Sequence, residues 1–223
     1  MKKLILMFVV AVLAPQVIQA QGVITYLSNL EQTSTDSVAI GSDSWLAEPF
    51  VTGNNVGGYL LNSVQLEMMD TSGSPNGFTA MIYGAGNNPS AVLPGTSLGT
   101  LNGSLNPVTA GTFTYTTTAN LILSPSTYYF IVLTAGTLVA NGPYEWGLAG
   151  TYSYYQSGGW AVGNHLGTVG VFDSSLNGSS WILGNQGNLQ FAVTATAVPE
   201  PSPSLLLLLG SGIFIYVRRA VRR

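Results

Sequence analysis

Tyr59-Leu60-Leu61-Asn62-Ser63-Val64-Gln65-Leu66-Glu67-Met68 is the stretch on which the fold turns. Val64, Leu66 and Met68 recur at every second position, with Gln65 and Glu67 between them. A period of two marks an extended strand with one face buried and the other in water. Leu60 has the parity of the apolar set, but so does Asn62, so the strand proper is expected to begin near Ser63. Outward from this segment, residues 23–27, 45–51, 78–83, 112–117, 128–134, 144–149 and 189–195 are likewise rich in β-branched and aromatic side chains. Gly, Asn and Pro clusters separate them, as in residues 52–55, 70–77, 84–89 and 106–107. Short strands at this spacing predict an all-β domain, an antiparallel β-sandwich of jelly-roll-like form. No charge run or change of composition divides residues 21–197, so one domain is expected there.

Charge placement narrows the function more than composition does. All six basic residues lie at the ends, Lys2 and Lys3 at one and Arg218, Arg219, Arg222 and Arg223 at the other. All nine acidic residues lie between Glu31 and Glu200, so residues 21–201 hold nine carboxylates, no Lys or Arg, and a formal charge of −9 with His165 neutral. Nucleic-acid binding needs cations that replace released counterions, and this region has none. The chain also has no cysteine, which excludes thiolate metal sites and cysteine nucleophiles.

The two ends read as membrane-directed segments. Lys2-Lys3, the apolar run 4–14, Pro15 and the small Ala20 before Gln21 form a secretory signal over residues 1–20, cut between Ala20 and Gln21. Its apolar run of eleven residues is shorter than the roughly 20 that span a bilayer. Such a signal implies passage through the Sec translocon and cleavage by signal peptidase. At the other end, the stiff Val198-Pro199-Glu200-Pro201 is followed by a charge-free stretch. Residues 201–217 count 17 without a charge and predict one transmembrane helix over about 203–217, and the terminal arginines act as a stop-transfer cluster. The arginines stay on the cytoplasmic side, which places the domain outside.

The order of these C-terminal parts resembles a PEP-CTERM tail, over residues 198–223. The resemblance implies recognition of Pro199-Glu200-Pro201 by an exosortase, a transpeptidase-like membrane enzyme of bacteria that make exopolysaccharide. It further implies removal of the tail and release or attachment at the cell surface. The middle of the chain resembles the choice-of-anchor R domain, a bacterial ectodomain, in its succession of short motifs. These are Glu48-Pro49-Phe50-Val51-Thr52-Gly53, Gly58-Tyr59-Leu60, Gly77-Phe78-Thr79, Leu93-Pro94-Gly95, Ala110-Gly111-Thr112-Phe113 and Tyr128-Tyr129-Phe130. It implies a surface β-sandwich without assigned catalytic residues.

Several patterns invite a chemical reading. Gly95-Thr96-Ser97-Leu98-Gly99 matches a nucleophile elbow, with Glu145 and His165 following in hydrolase order. The residues after it make a poor helix, so a loop between strands is expected instead. His165 is the only histidine, which excludes a multi-histidine metal site. Glu67 and Asp70 offer paired carboxylates for an extracellular hydrolase, although solvated surface acids are the default. Asp36, Asp43, Asp70 and Asp173 are expected in loops rich in Asn, Ser and Gly, which offer the oxygen ligands of a structural calcium, without a calcium-loop signature. No catalytic, cofactor or metal residues are assigned, and an enzyme is not expected.

The aromatic segment 144–160 carries the remaining signal. Tyr144, Trp146, Tyr152, Tyr154, Tyr155 and Trp160 fall within 17 residues. Of these, Tyr144, Trp146, Tyr154 and Trp160 are expected to stack on sugar rings, with Glu145, Gln156 and Asn164 near them in sequence to meet hydroxyls. The competing reading puts the same rings in the core. The expectation is therefore an exported, non-enzymatic surface or matrix protein, structural or adhesive in an exopolysaccharide layer. The alternative is a lectin-like module.

Overall fold

The computed structural model describes residues 22–86, 92–163, 171–174, 178, 180–184 and 187–200. Residues Gly22–Val198 form one compact unit. Its strands are β1 (Ile24–Ser28), β2 (Ser34–Ile40), β3 (Trp45–Val51), β4 (Tyr59–Met69), β5 (Thr79–Ala85), β6 (Pro94–Asn102), β7 (Gly111–Thr117) and β8 (Ile122–Leu123). There follow β9 (Tyr128–Thr134), β10 (Tyr144–Ala149), β11 (Tyr155–Gln156), β12 (Ala161–Val162), β13 (Val171–Ser174), β14 (Ile182–Gly184), β15 (Asn188–Leu189) and β16 (Phe191–Ala197). A single 3-10 turn, Val139–Asn141, is the only helical element among the described residues, and no helix there is long and apolar enough to cross a membrane. The signal segment 1–20 and the expected transmembrane helix at 203–217 lie outside the described residues.

Pairing is antiparallel throughout, and the strands run in the order β11-β1-β16-β4-β7-β6-β5-β9-β3-β13-β14. Near the end of β4, β10 joins it and carries β2 and β15. β6 belongs to both halves of the sheet: Thr100 and the residues before it pair with β5, while Leu101 and Asn102 pair with β7. Side chains from both halves meet in one core, including Leu61, Val64, Leu66 and Phe191 from one half and Leu46, Phe50, Ile82 and Ile131 from the other. The sheet thus curls nearly into a barrel.

The strand that opened the sequence reading departs from its simple alternation. It begins at Tyr59, and Tyr59 and Leu61 are buried while Leu60 is not. The register against β16 slips between Thr194↔Ser63 and Ala195↔Leu61, which leaves Asn62 as the extra residue of a bulge. One added residue moves every later side chain to the opposite face, so Tyr59 and Leu61 share the inner face with Val64, Leu66 and Met68. Asn62 turns outward and accepts a hydrogen bond from the Thr196 hydroxyl at 2.9 Å.

The expected strand 189–195 is split at Gln190, because its two parts serve different neighbours. β15 pairs with β10, and β16 inserts between β1 and β4. Gln190 is buried at the break, and its amide donates to the Gln32 carbonyl at 2.7 Å and contacts the Ser34 hydroxyl. Its carbonyl accepts the Trp146 indole N–H at 2.9 Å. Asn29 completes the junction, donating to the Leu189 carbonyl and accepting from the Phe191 N–H. A buried chain break is tolerated when its polar groups are satisfied in this way.

Candidate functional site

Three of the four aromatic residues expected to face a sugar are held inside by strand parity and by the segment that follows. Tyr144, Trp146 and Leu148 alternate along β10 and all three point into the core. Tyr144 packs edge-on against Phe78 at 5.0 Å, and its hydroxyl donates to Asn106 Oδ1 at 2.8 Å. Residues 155–162 cross from β1 to β3, and Trp160 fills the gap between those strands. Its ring stacks on Tyr26 at 4.8 Å and on Phe50 at 5.8 Å, with Tyr59 edge-on at 5.0 Å. Tyr154 is partly buried against Phe191. The faces of Tyr144, Trp146 and Trp160 are therefore committed to the core, which corrects their assignment to a sugar site. The exposed rings of the segment are Tyr152 and Tyr155, with the exposed Gln156 beside them in sequence.

The remaining motifs separate rather than converge. Ser97 sits in the middle of β6, paired with Tyr83, and not in the expected loop. A nucleophile elbow needs a sharp turn from strand to helix, and this segment is continuous strand. His165 lies outside the described residues, as does the side chain of Asp173. Glu67 accepts from the Thr112 hydroxyl at 2.6 Å on the outer face of the sheet, while Asp70 caps a turn by accepting the Ala110 N–H at 2.8 Å. Asp36 lies on β2 and not in a loop, accepting from the Ser37 N–H, while Asp43 reaches across to accept from the Val139 N–H. Among the described residues, no three acidic or histidine side chains gather as a metal ion would need.

Sequence reading missed the most unusual group in the domain. Glu48 alternates with Leu46 and Phe50 on β3 and is fully buried, and neither of its carboxyl oxygens has a hydrogen-bond partner. Burial holds its pKa well above the ordinary carboxyl value. The Tyr154 hydroxyl, also buried and unpartnered, is pushed up by burial first, then by Glu48 and Tyr152. The Trp160 indole N–H is a third unpartnered group in the same core. The parity of Glu48 within 45–51 was the signal that could have placed it inside.

At the C-terminal end, Val198 is pinned where Pro199 and Glu200 leave the domain. Its N–H donates to the Gly58 carbonyl at 3.0 Å, and its carbonyl accepts from the Asn55 amide at 3.0 Å. Gly58 holds the turn at a φ of 77°, a conformation that disfavours any side chain. Pro199 and Glu200 are exposed. Pro201, Arg218, Arg219, Arg222 and Arg223 lie outside the described residues, as do Ala20 and Gln21. No family model matches the sequence, and neither a curated protein nor a solved structure matches it.

Proposed function

We propose that this chain is an exported bacterial surface protein, a jelly-roll-like β-sandwich delivered by a cleaved signal peptide and sorted through its tail by an exosortase-type enzyme. Its work is structural or adhesive within an exopolysaccharide layer. The observation that carries this reading is the charge map: every basic residue flanks an apolar end segment, and none lies between residues 4 and 217. Exposure of Pro199 and Glu200 beyond a pinned Val198 supports it, because a processing enzyme must reach an extended backbone next to a stable domain. Intact mass of the surface-extracted protein is the test. The mature form is expected to begin at Gln21 and to lack the arginine tail, and Glu200→Ala should retain the tail and stay in the membrane fraction. Trimming of Glu200→Ala at the wild-type rate would remove the role given to that motif.

A second reading rests on Tyr152 and Tyr155, whose exposed rings beside Gln156 suit stacking on a sugar. On a glycan array, saturable binding should then fall in Tyr152→Ala and Tyr155→Ala. Trp146→Ala and Trp160→Ala are expected instead to lower stability by about 3–5 kcal/mol through loss of core packing. Absence of binding to every glycan would end this reading.

A further inference from the structure

Four strand ends meet where the chain enters and leaves the domain. Ile24 of β1 pairs with Ala195 of β16, and Ala197 pairs with Tyr59 at the start of β4, whose other side holds β8 through Tyr59↔Leu123 and Leu60↔Ile122. β1 enters and β16 leaves in opposite directions, so residue 22 and residue 199 emerge at the same pole. Ten large apolar side chains are exposed among the described residues, and four belong to this pole: Val23 at 64%, Ile24 at 39%, Val56 at 73% and Ile122 at 56%. Val56 lies in the turn closed by the Gly58 N–H to Asn55 carbonyl bond, and Gly58 also packs beside Ile122.

Charge is arranged along the same axis. Segments 22–24, 52–58, 118–123 and 195–199 contain no acidic residue. Glu67 stands eight residues along β4 from Tyr59, about 26 Å away at the rise of an extended strand. Asp70 follows the far end of β4, and Glu145 pairs there with Met69. An anionic lipid surface would repel that far end, whereas the described residues of the pole bring it a single carboxylate, the exposed Glu200 just beyond Val198.

We propose that this pole is the membrane-contacting surface of the domain: Val23, Ile24, Val56 and Ile122 rest in the outer interface of the bilayer that holds residues 201–217. Between pinned Val198 and the start of the expected span near residue 203 there are four residues, at most about 14 Å of extended chain. That leash is too short to lift the pole far from the headgroups, so the apolar side chains are brought to the interface by the tether. The inference rests on the tethered intermediate proposed above.

The absence of cysteine makes single-cysteine labelling direct. The tail-bearing protein is reconstituted into phosphatidylethanolamine/phosphatidylglycerol vesicles with an environment-sensitive dye at Val56→Cys, Ile122→Cys, Ile213→Cys or Asp70→Cys, with and without spin-labelled lipid. The expected result is a blue shift and quenching by lipid at positions 56, 122 and 213, with neither at position 70. Quenching at 213 without quenching at 56 and 122 would overturn the contact while leaving the tether intact. No quenching at 213 would remove the tether, and this surface with it. A blue shift at 56 and 122 that grows with protein concentration and ignores lipid quencher would assign the pole to a second copy and overturn the lipid assignment. Quenching at 70 as well would show no preferred pole and overturn the orientation.

Discussion

The carboxyl of Glu48 lies between Leu46 and Phe50 in the core, in a domain without a single Lys or Arg to neutralise it. Desolvation therefore keeps it protonated. The folded state holds a proton that the unfolded chain gives up above the ordinary value of 4.5. Folded protein thus binds more protons, and stability falls as pH rises from about that value through the raised folded one. The contribution is complete at lower pH and declines by about 1.4 kcal/mol per pH unit across the window. Urea midpoints measured from pH 4 upward should therefore fall, and Glu48→Gln should flatten the profile. An unchanged slope in that variant would show that Glu48 is not the group responsible. Among the described residues, the titratable side chain coupled to it is Tyr154, which stays neutral in this range. At this scale the sequence was partly legible. Alternation along β10 pointed Tyr144 and Trp146 inward, but the burial of Trp160 depends on a crossing segment that no local pattern reveals.

At the scale of elements, strands that carry their own β-branched and aromatic residues were readable, and Trp45–Val51, Tyr128–Thr134 and Tyr144–Ala149 fall where expected. β2 and β6 were not. Ser34–Ile40 has mostly polar residues on a half-exposed strand, and β6 contains two glycines and is a strand because β5 and β7 pair with it. Tertiary pairing there overrides weak intrinsic preference. The bulge at Asn62 and the break at Gln190 likewise record what lies alongside. Gln190→Leu removes the bond to the Gln32 carbonyl and the contact with Ser34 without changing the backbone. It should cost about 2–3 kcal/mol, read as a lower urea midpoint at unchanged m-value. A cost under about 0.5 kcal/mol, the level of an ordinary surface change, would show that the side chain does not secure the junction.

At the scale of the whole molecule, the expectation of membrane-directed ends comes from hydropathy and charge along the chain, whereas the emergence of residues 22 and 199 at one pole required the sheet order. That order also decides how the domain answers force. β16 is held on both flanks, through seven paired residues with β4 and four with β1. Pulling between residues 198 and 70 loads these ladders lengthwise, so their hydrogen bonds share the load and fail together. Pulling between residues 22 and 198 separates two neighbouring strand ends and opens the β1–β16 ladder one rung at a time. Single-molecule extension should give a clearly higher rupture force for the first geometry, and equal forces would contradict the pairing. On the export route proposed above, a chain still carrying residues 1–20 would be held by the two handles that peel it most easily. Once such a chain is attached through its C-terminal end alone, drag would enter through β16, and the same ladders would become a mechanical clamp.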